Sequence, residues 1–172
     1  KLKLKFKPPA ETHLKKNEYI TVEQALDKYP EYEISKNATH VERTNHSEIV
    51  KKRLEATKPG ENAWNANIPK EFQLTGVKGA KLSQIYKKLK GDEPSYTITG
   101  SGGGGTHVYH WKEHRALTNR EKAILQTFPI SYEFYGGKES VKRQIGMAVP
   151  VKGAAIIIKS ILKTLEKKSY KI

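Results

Sequence analysis

The apolar and polar positions of this chain follow two periods, one typical of strands and one typical of helices. At the start, Leu2, Leu4 and Phe6 alternate with lysines, a period of two that predicts a half-buried strand. Two further runs, EPSYTIT (93–99) and THVYHW (106–111), flank the tract GSGGGG. Because both runs are rich in β-branched and aromatic residues, they predict a hairpin with the glycine tract at its tip.

Two capping boxes predict where helices begin. Thr21 with Gln24 precedes the short run ALDKY, and Thr118 with Glu121 precedes KAILQTF. In such a box each side chain bonds the backbone N–H of the other residue, which satisfies free donors at the helix start. The second box predicts a helix over 119–127 that ends before Pro129.

Two longer segments have apolar residues at helical spacing. The first, within 46–58, ends at Pro59 and Gly60, which predicts an amphipathic helix packed through one face. The second covers 151–168 and needs another surface to bury its apolar stripe. That stripe consists of Ala154, Ile157, Ile158, Ile161 and Leu165.

The charge balance points to a polyanionic partner. The chain has 172 residues, a net charge of +14 and a pI of about 9.8. Nucleic acid is the first expectation for such a chain, and a membrane surface is the competing one. No apolar run reaches the roughly 20 residues that span a bilayer, so no membrane partner is expected. The opening without methionine suggests either a segment of a longer protein or a processed chain.

A basic segment precedes the first hairpin run. A charge run commonly forms a solvated face, but an aromatic residue among lysines beside a glycine tract favours a nucleic-acid surface. The lysines surround Tyr86, and they are Lys78, Lys81, Lys87, Lys88 and Lys90. The glycine tract is either a flexible spacer or a loop that lets the backbone approach a ligand closely. Its strand-like flanks favour the second interpretation.

Several ordered motifs together carry a family resemblance. RALTNREKAILQTFP, then RQIGMAVP and an amphipathic helix, is similar to the end of DNA (cytosine-5) methyltransferases, where these stretches are the ninth and tenth motifs. EPSYTITGSGGGGTHVYHW resembles the close of the target recognition domain, with Thr97 and Ile98 as its Thr-Ile pair. HSEIVKKRLEATKPGE and LSQIYKKLKGDEPS also resemble recognition segments of bacterial members.

The resemblance implies an α+β fold with three parts. Residues 1–9 form a connection from the catalytic domain, 10–112 form a small loop-rich target recognition domain, and 113–172 form helices that complete a Rossmann-like methyltransferase domain. The implied partner is double-stranded DNA, and the implied cofactor is S-adenosylmethionine. The implied setting is the bacterial cytoplasm, at the nucleoid, in a restriction–modification system.

The resemblance also implies roles for individual residues. Gly146, Met147, Ala148 and Val149 help to shape the cofactor pocket, with Met147 where Asn is commoner. Arg115, Thr118, Arg120 and Glu121 organise the recognition domain. For Arg120 and Glu121 the alternative is an ordinary helix-cap or surface role. Enzymes that extrude a base need close contact with the opened stack, which glycines permit. The expected DNA-contacting residues are Lys81, Ser83, Tyr86, Lys87, Lys88, Thr97, Thr99, Ser101, Gly102, Gly103, Gly104, Gly105 and Thr106.

The absence of cysteine limits what this chain does alone. Cytosine-5 methylation needs a thiolate that attacks C6 of the base, and the chain has no cysteine. The expected partner is therefore an N-terminal methyltransferase half with a Pro-Cys motif, and this chain by itself is expected to be inactive. The alternatives are a degenerate remnant and a non-catalytic basic nucleic-acid-binding module.

Three histidines suggest a further alternative, a metal-dependent nuclease. His107, His110 and His114 have the spacing H-x₂-H-x₃-H. On a strand, His107 and His110 point to opposite faces, so a shared metal ion is not expected.

Overall fold

The computed structural model describes residues 5–29, 33–34, 36, 39–75, 82–100 and 104–166. Single turns of 3₁₀ helix occur at Lys16–Glu18, Lys70–Phe72 and Gly104–Thr106. The principal helices are α1 (Val22–Asp27), α2 (Glu48–Ala56), α3 (Asn119–Leu125), α4 (Lys138–Met147) and α5 (Val151–Leu165).

Both predicted capping boxes are confirmed at the starts of α1 and α3. The Thr21 hydroxyl accepts from the Gln24 N–H at 3.2 Å, and the Gln24 side chain accepts from the Thr21 N–H at 3.0 Å. In α3 the Glu121 N–H donates to the Thr118 hydroxyl at 3.1 Å. This helix ends two residues before the predicted limit because Thr127 adopts a left-handed φ of 61°.

The two predicted amphipathic helices are also confirmed, with different degrees of burial. The first, α2, buries Leu54 completely, and the chain turns away at Gly60 with a φ of 84°. The second, α5, begins after Pro150 and leaves its apolar side chains in contact with solvent. These exposed side chains are Ile156, Ile157, Ile158, Ile161, Leu162 and Leu165.

The hairpin predicted around the glycine tract is wrong for the described residues. Tyr109 instead forms isolated bridges, parallel with Lys88 and antiparallel with Ala116. The Leu89 N–H donates to the Tyr109 carbonyl at 3.0 Å. At Tyr109 the backbone of the THVYHW run is therefore already hydrogen-bonded to the segment that contains Leu89. In the described part of the chain the β component of the expected α+β fold consists of these isolated bridges.

The main core joins residues from both sides of the predicted boundary at residue 112. Helix α1 packs on α3, and α3 packs on α4. Their shared apolar cluster contains Val22, Leu26, Leu117, Ile124 and Ile145. A second, smaller cluster contains Leu54, Tyr86, Tyr109 and Ala116. The three-part domain division remains a prediction, and the two sides share one core.

The stretch Lys138–Leu165 has the length and apolar character of a membrane-crossing helix by composition alone. The structure divides it, because Ala148 is extended with a ψ of 146° and Pro150 precedes α5. Helix α5 alone has 15 residues and is about 22 Å long at 1.5 Å per residue. That length is less than the roughly 30 Å of a bilayer core.

A buried ion-pair network fixes the start of α3. The Arg115 guanidinium donates to both Glu121 carboxylate oxygens at 2.8 Å, and the Thr118 N–H donates to the same carboxylate at 2.7 Å. Burial raises the pKa of Glu121, but the bonds from Arg115 outweigh this effect and hold that pKa below its usual value. Glu113 receives two further bonds from Arg115. The guanidinium therefore joins the loop before α3 to the helix itself.

We expect Glu121→Gln to lower the free energy of unfolding at pH 7 by about 3 kcal/mol, because it leaves the Arg115 charge buried without its closest carboxylate. Urea unfolding measures this loss. The difference from wild type closes as the pH falls below about 4, since the lowered pKa makes the stabilisation present only while Glu121 is ionised. Glu48→Gln, at an exposed pair with Lys51, is the control and should leave stability unchanged.

Candidate functional site

One cavity lies between two segments to which the family resemblance assigns functional residues. It has a volume of about 600 Å³ and lies between the extended segment 97–100 and the C-terminal half of α4. Thr97 and Thr99 are exposed, whereas Ile98 between them is buried and anchors the segment in the main core. Gly146 and Met147 form part of the opposite wall.

A glycine-to-glycine contact holds these two walls together. A Cβ atom placed on Gly146 would lie 1.8 Å from the Gly100 nitrogen, and one on Gly100 would lie 2.8 Å from the Arg143 carbonyl oxygen. Neither position has space for a side chain, because the neighbouring atoms belong to the backbone and cannot move independently. The pair of glycines thus sets how closely the 97–100 segment approaches α4.

The turn after α4 is fixed by a single buried glutamine. The Gln126 amide donates to the carbonyls of Ile145 at 3.1 Å and Ala148 at 3.3 Å, and its backbone carbonyl accepts from Val151 at 3.1 Å. Within this turn the side chains of Met147, 77% exposed, and Val149 point into solvent. The turn therefore presents apolar groups from a rigid backbone.

Positive charge dominates the α4 side of the cavity. Lys142 and Arg143 both line it, and the only carboxylate among the described lining residues belongs to Glu139, which pairs with Lys142. His107 lies near this helix, and burial, followed by the charges of Lys122 and Lys142, lowers its pKa to about 4. His107 is therefore neutral at pH 7 and adds no charge to the cavity.

Two residues expected at a DNA surface are instead buried. Tyr86 packs against Tyr109, and its hydroxyl accepts from Arg53 at 3.1 Å, so its ring belongs to the second core cluster. Lys88 is buried with its ammonium 3.4 Å from His114 Nδ1. The sequence led us to expect both side chains on a nucleic-acid surface, but the run bends so that Tyr86 and Lys88 point inward.

The remaining expected DNA contacts fall into several groups. Ser83 is exposed and Lys87 is half-buried, with the Lys87 ammonium 4.9 Å from the centroid of the Tyr96 ring. Gly105 supports the fold, because its carbonyl accepts from the Tyr86 N–H at 2.7 Å. Gly104, Gly105 and Thr106 form one 3₁₀ turn. Lys81, Ser101, Gly102 and Gly103 lie outside the described residues.

Arg120 joins the loop at Thr39 to the loop that follows α3. It is 1% exposed, and its guanidinium donates to the carbonyls of Thr39 at 3.1 Å and Tyr132 at 3.0 Å. The same group lies 5.3 Å from the centroid of the Phe134 ring. The side chain therefore connects two loops, one at Thr39 and one at 132–134, to α3.

The histidines of the H-x₂-H-x₃-H spacing have separate environments. His107 lies 6.2 Å from His46 between ring centroids, and His110 stacks on Trp111 at 4.0 Å. His110 Nδ1 accepts from the backbone N–H groups of Lys112 and Glu113, and burial lowers the pKa of His110 to about 4. Within the described ranges, no group of three metal-ligating side chains is present.

Comparison with known proteins decides the family. Residues 1–163 match the family model of the C-5 cytosine-specific DNA methylase. The chain belongs to the C-5 cytosine-specific DNA methylase family. Almost the whole chain takes part in the match, including the 97–100 segment and both walls of the cavity.

Several curated members of this family resemble the chain closely. It is 52% identical to the type II methyltransferase M.BbvI of Brevibacillus brevis, over 96% of this chain and 42% of the relative. Identity with the type II methyltransferase M.NgoFVII of Neisseria gonorrhoeae is 41%, over 91% of this chain and 41% of the relative. The chain thus spans less than half the length of these methyltransferases.

A solved structure supports the methyltransferase fold. The described chain resembles the crystal structure of a DNA modification methyltransferase encoded within an E. coli prophage, with a TM-score of 0.53 and 25% sequence identity. The match covers 74% of this chain and 29% of that methyltransferase. About three quarters of this chain therefore has a structural counterpart in that methyltransferase.

Sequence reasoning missed two buried lysines, of which Lys142 lines the cavity. Lys122 and Lys142 are both buried, on α3 and α4 respectively. The spacing of Lys122 and Gln126, four residues apart on α3, was a signal that both side chains share a face. The apolar residues next to each lysine concealed this signal, because lysine is rarely buried.

We expect Gly146→Ala to lower the free energy of unfolding by about 1–3 kcal/mol, the usual range for an added methylene in a packed site. The added Cβ would overlap the Thr99–Gly100 backbone and force the segment away from α4. Thermal or urea unfolding measures the loss. Gly153→Ala is the matched control: its nearest neighbour is 4.0 Å away inside α5, and alanine there should be neutral or stabilising. Equal effects of the two substitutions would contradict the packing described.

Proposed function

We propose that this chain is the DNA-recognition portion of a cytosine-5 methyltransferase of the restriction–modification type. In this proposal it binds duplex DNA and completes the S-adenosylmethionine site of an enzyme whose catalytic cysteine lies on another segment or chain. The observation that carries the proposal is the cavity at which the 97–100 segment meets the end of α4. Recognition and cofactor elements are in direct contact there, so they act as one unit.

The 97–100 segment presents two threonine side chains at the surface, where a ligand can reach them. Ile98 holds the segment in the core, and the two flanking threonines direct their side chains outward, as alternation along an extended chain requires. Threonine hydroxyls both donate and accept hydrogen bonds and are common partners of DNA phosphates and bases. In the proposed enzyme, Thr97 and Thr99 bind DNA next to the site at which the base is extruded.

The residues after α4 fit a role as one wall of the cofactor pocket. Met147 and Val149 are apolar, exposed and held on a backbone fixed by Gln126, which suits contact with the methionine part of S-adenosylmethionine. Met147 has no hydrogen-bonding amide, so the contact from this position is apolar packing. When bound, the cofactor supplies the methyl group that is transferred to cytosine.

Helix α5 supplies the contact with the remainder of the enzyme. Its apolar residues form an exposed stripe that includes Ile157, Ile161 and Leu165, which lie on one face at helical spacing. An apolar patch of this kind marks a surface that another protein element covers. We propose that the covering element is the part of the methyltransferase domain that carries the Pro-Cys motif.

Reassembly of the enzyme tests the proposal. The chain is coexpressed with a second chain carrying the Pro-Cys segment of the family, and the transfer of a tritiated methyl group from S-adenosylmethionine to duplex DNA is measured. We expect stable co-purification and methylation of cytosine by the complex, and no transfer by either chain alone. Replacing the partner cysteine by alanine should abolish transfer but preserve DNA binding, because the thiolate is the nucleophile.

Two results would contradict the proposal in different ways. A complex that binds DNA but transfers no methyl group would identify the chain as a non-catalytic nucleic-acid-binding module. A complex that forms equally well when Ile157 and Ile161 are both changed to Ser would show that α5 is not the contact surface. Lys159→Ser on the same helix is the matched control for that pair.

A further inference from the structure

Arg143 combines a fixed backbone with an exposed side chain. A Cβ atom placed on Gly100 would lie 2.8 Å from the Arg143 carbonyl oxygen and 3.0 Å from the Arg143 Cα, so the two backbones are in direct contact. Arg143 lines the cavity beside α4, and the residue is exposed to solvent. The 97–100 segment therefore sets the position of this arginine, while its side chain stays accessible to a ligand.

The fold does not use the charge of Arg143 in the described part of the chain. The same cavity is lined by Glu139 and Lys142, which form an ion pair with each other. No hydrogen bond or ion pair joins the Arg143 side chain to another described residue. A guanidinium has five N–H donors and no acceptor, so the partner that suits it is an anion with several oxygens.

The opposite wall of the cavity supplies a hydroxyl group. Thr97 lines the cavity and is exposed, and the burial of Ile98 in the main core fixes the side of the extended segment from which the Thr97 side chain projects. Threonine hydroxyls are common partners of DNA phosphates. A guanidinium and a hydroxyl thus line one cavity of about 600 Å³, which has space for a phosphodiester group.

We propose that Arg143 and the Thr97 hydroxyl together bind one phosphate of the DNA backbone at the cavity between α4 and the 97–100 segment. This inference rests on the proposed function, because it requires that the chain bind DNA. The backbone contact at Gly100 fixes how far apart the two groups lie. Since a phosphate contact carries no sequence information, Arg143 sets where the DNA lies and not which sequence is bound.

The competing anion is the methionine carboxylate of S-adenosylmethionine, because Met147 lines the same cavity. The contacts of Arg143 favour the phosphate. Its backbone packs on Gly100, in the segment that carries the exposed threonines. A phosphate also offers two non-bridging oxygens in the planar arrangement that a guanidinium binds through parallel N–H groups.

Salt-dependent binding of the 172-residue chain to a labelled duplex tests the inference. We expect Arg143→Gln to weaken binding by roughly tenfold, the effect of losing one charge-assisted hydrogen bond. It should also reduce the slope of log Kd against log salt by about one, because one phosphate is no longer neutralised. Arg143→Lys should keep the slope but lose part of the affinity, since an ammonium cannot form the two parallel bonds. Lys52→Gln removes the same charge from an exposed pair with Glu55 and should alter the slope by much less.

A double-mutant cycle shows whether Arg143 and Thr97 share one phosphate. Thr97→Val should weaken binding by the wild-type chain but have a much smaller effect in Arg143→Gln, because the shared contact is already lost there. An uncharged methylphosphonate at that phosphate should behave in the same way. Thermal unfolding accompanies these assays, and the midpoint of Arg143→Gln should equal that of wild type because the residue is exposed.

Four results would overturn the inference. If Arg143→Gln keeps the wild-type affinity and salt slope, Arg143 does not bind DNA, and the proposed function is unaffected. If DNA binding is unchanged but the reassembled complex binds S-adenosylmethionine more weakly, the cofactor carboxylate is the partner of Arg143. If the effects of Arg143→Gln and Thr97→Val simply add, the two residues do not share a phosphate. If the wild-type chain binds no duplex at all, the inference and the proposed function fail together.

Discussion

The close approach of two backbones, at Gly100 and Gly146, is the constraint on which the site depends. Neither glycine has space for a Cβ, so the 97–100 segment and α4 meet without intervening side chains. This contact places Thr97 and Thr99 opposite the cationic face of α4 and encloses a cavity between them. Gly146 is thus a packing residue in this chain, and the apolar side chains of Met147 and Val149 that follow it are the ones directed outward.

Buried charge maintains this arrangement on the other side of the core. Arg115 and Arg120 each connect loops that lie far apart in the sequence, and their bonds go to carboxylates or to backbone carbonyls. Both guanidiniums are therefore used by the fold.

The helices were predictable from the sequence, whereas the environment of each site residue was not. Capping boxes and apolar spacing depend on local interactions, and they gave the starts of α1 and α3 correctly. Tyr86 and Lys88 were expected at a nucleic-acid surface because an aromatic residue lies among lysines beside a glycine tract, but tertiary pairing of this segment with Tyr109 turns both inward. The predicted hairpin was wrong for the same reason. β propensity is a property of one segment, whereas the segment with which it pairs depends on the whole fold.

The central claim is that the 97–100 segment packs directly on the end of α4. The chain contains no cysteine, so Thr99→Cys and Met147→Cys introduce the only two thiols, both at the edge of the cavity. The measurement is the rate of intramolecular crosslinking by a short dimaleimide, in native buffer and in urea. We predict rapid crosslinking that urea suppresses, and slow crosslinking when Lys52→Cys, which lines no part of the cavity, replaces Thr99→Cys. Equal rates for the two pairs in native buffer, or no effect of urea, would contradict the account.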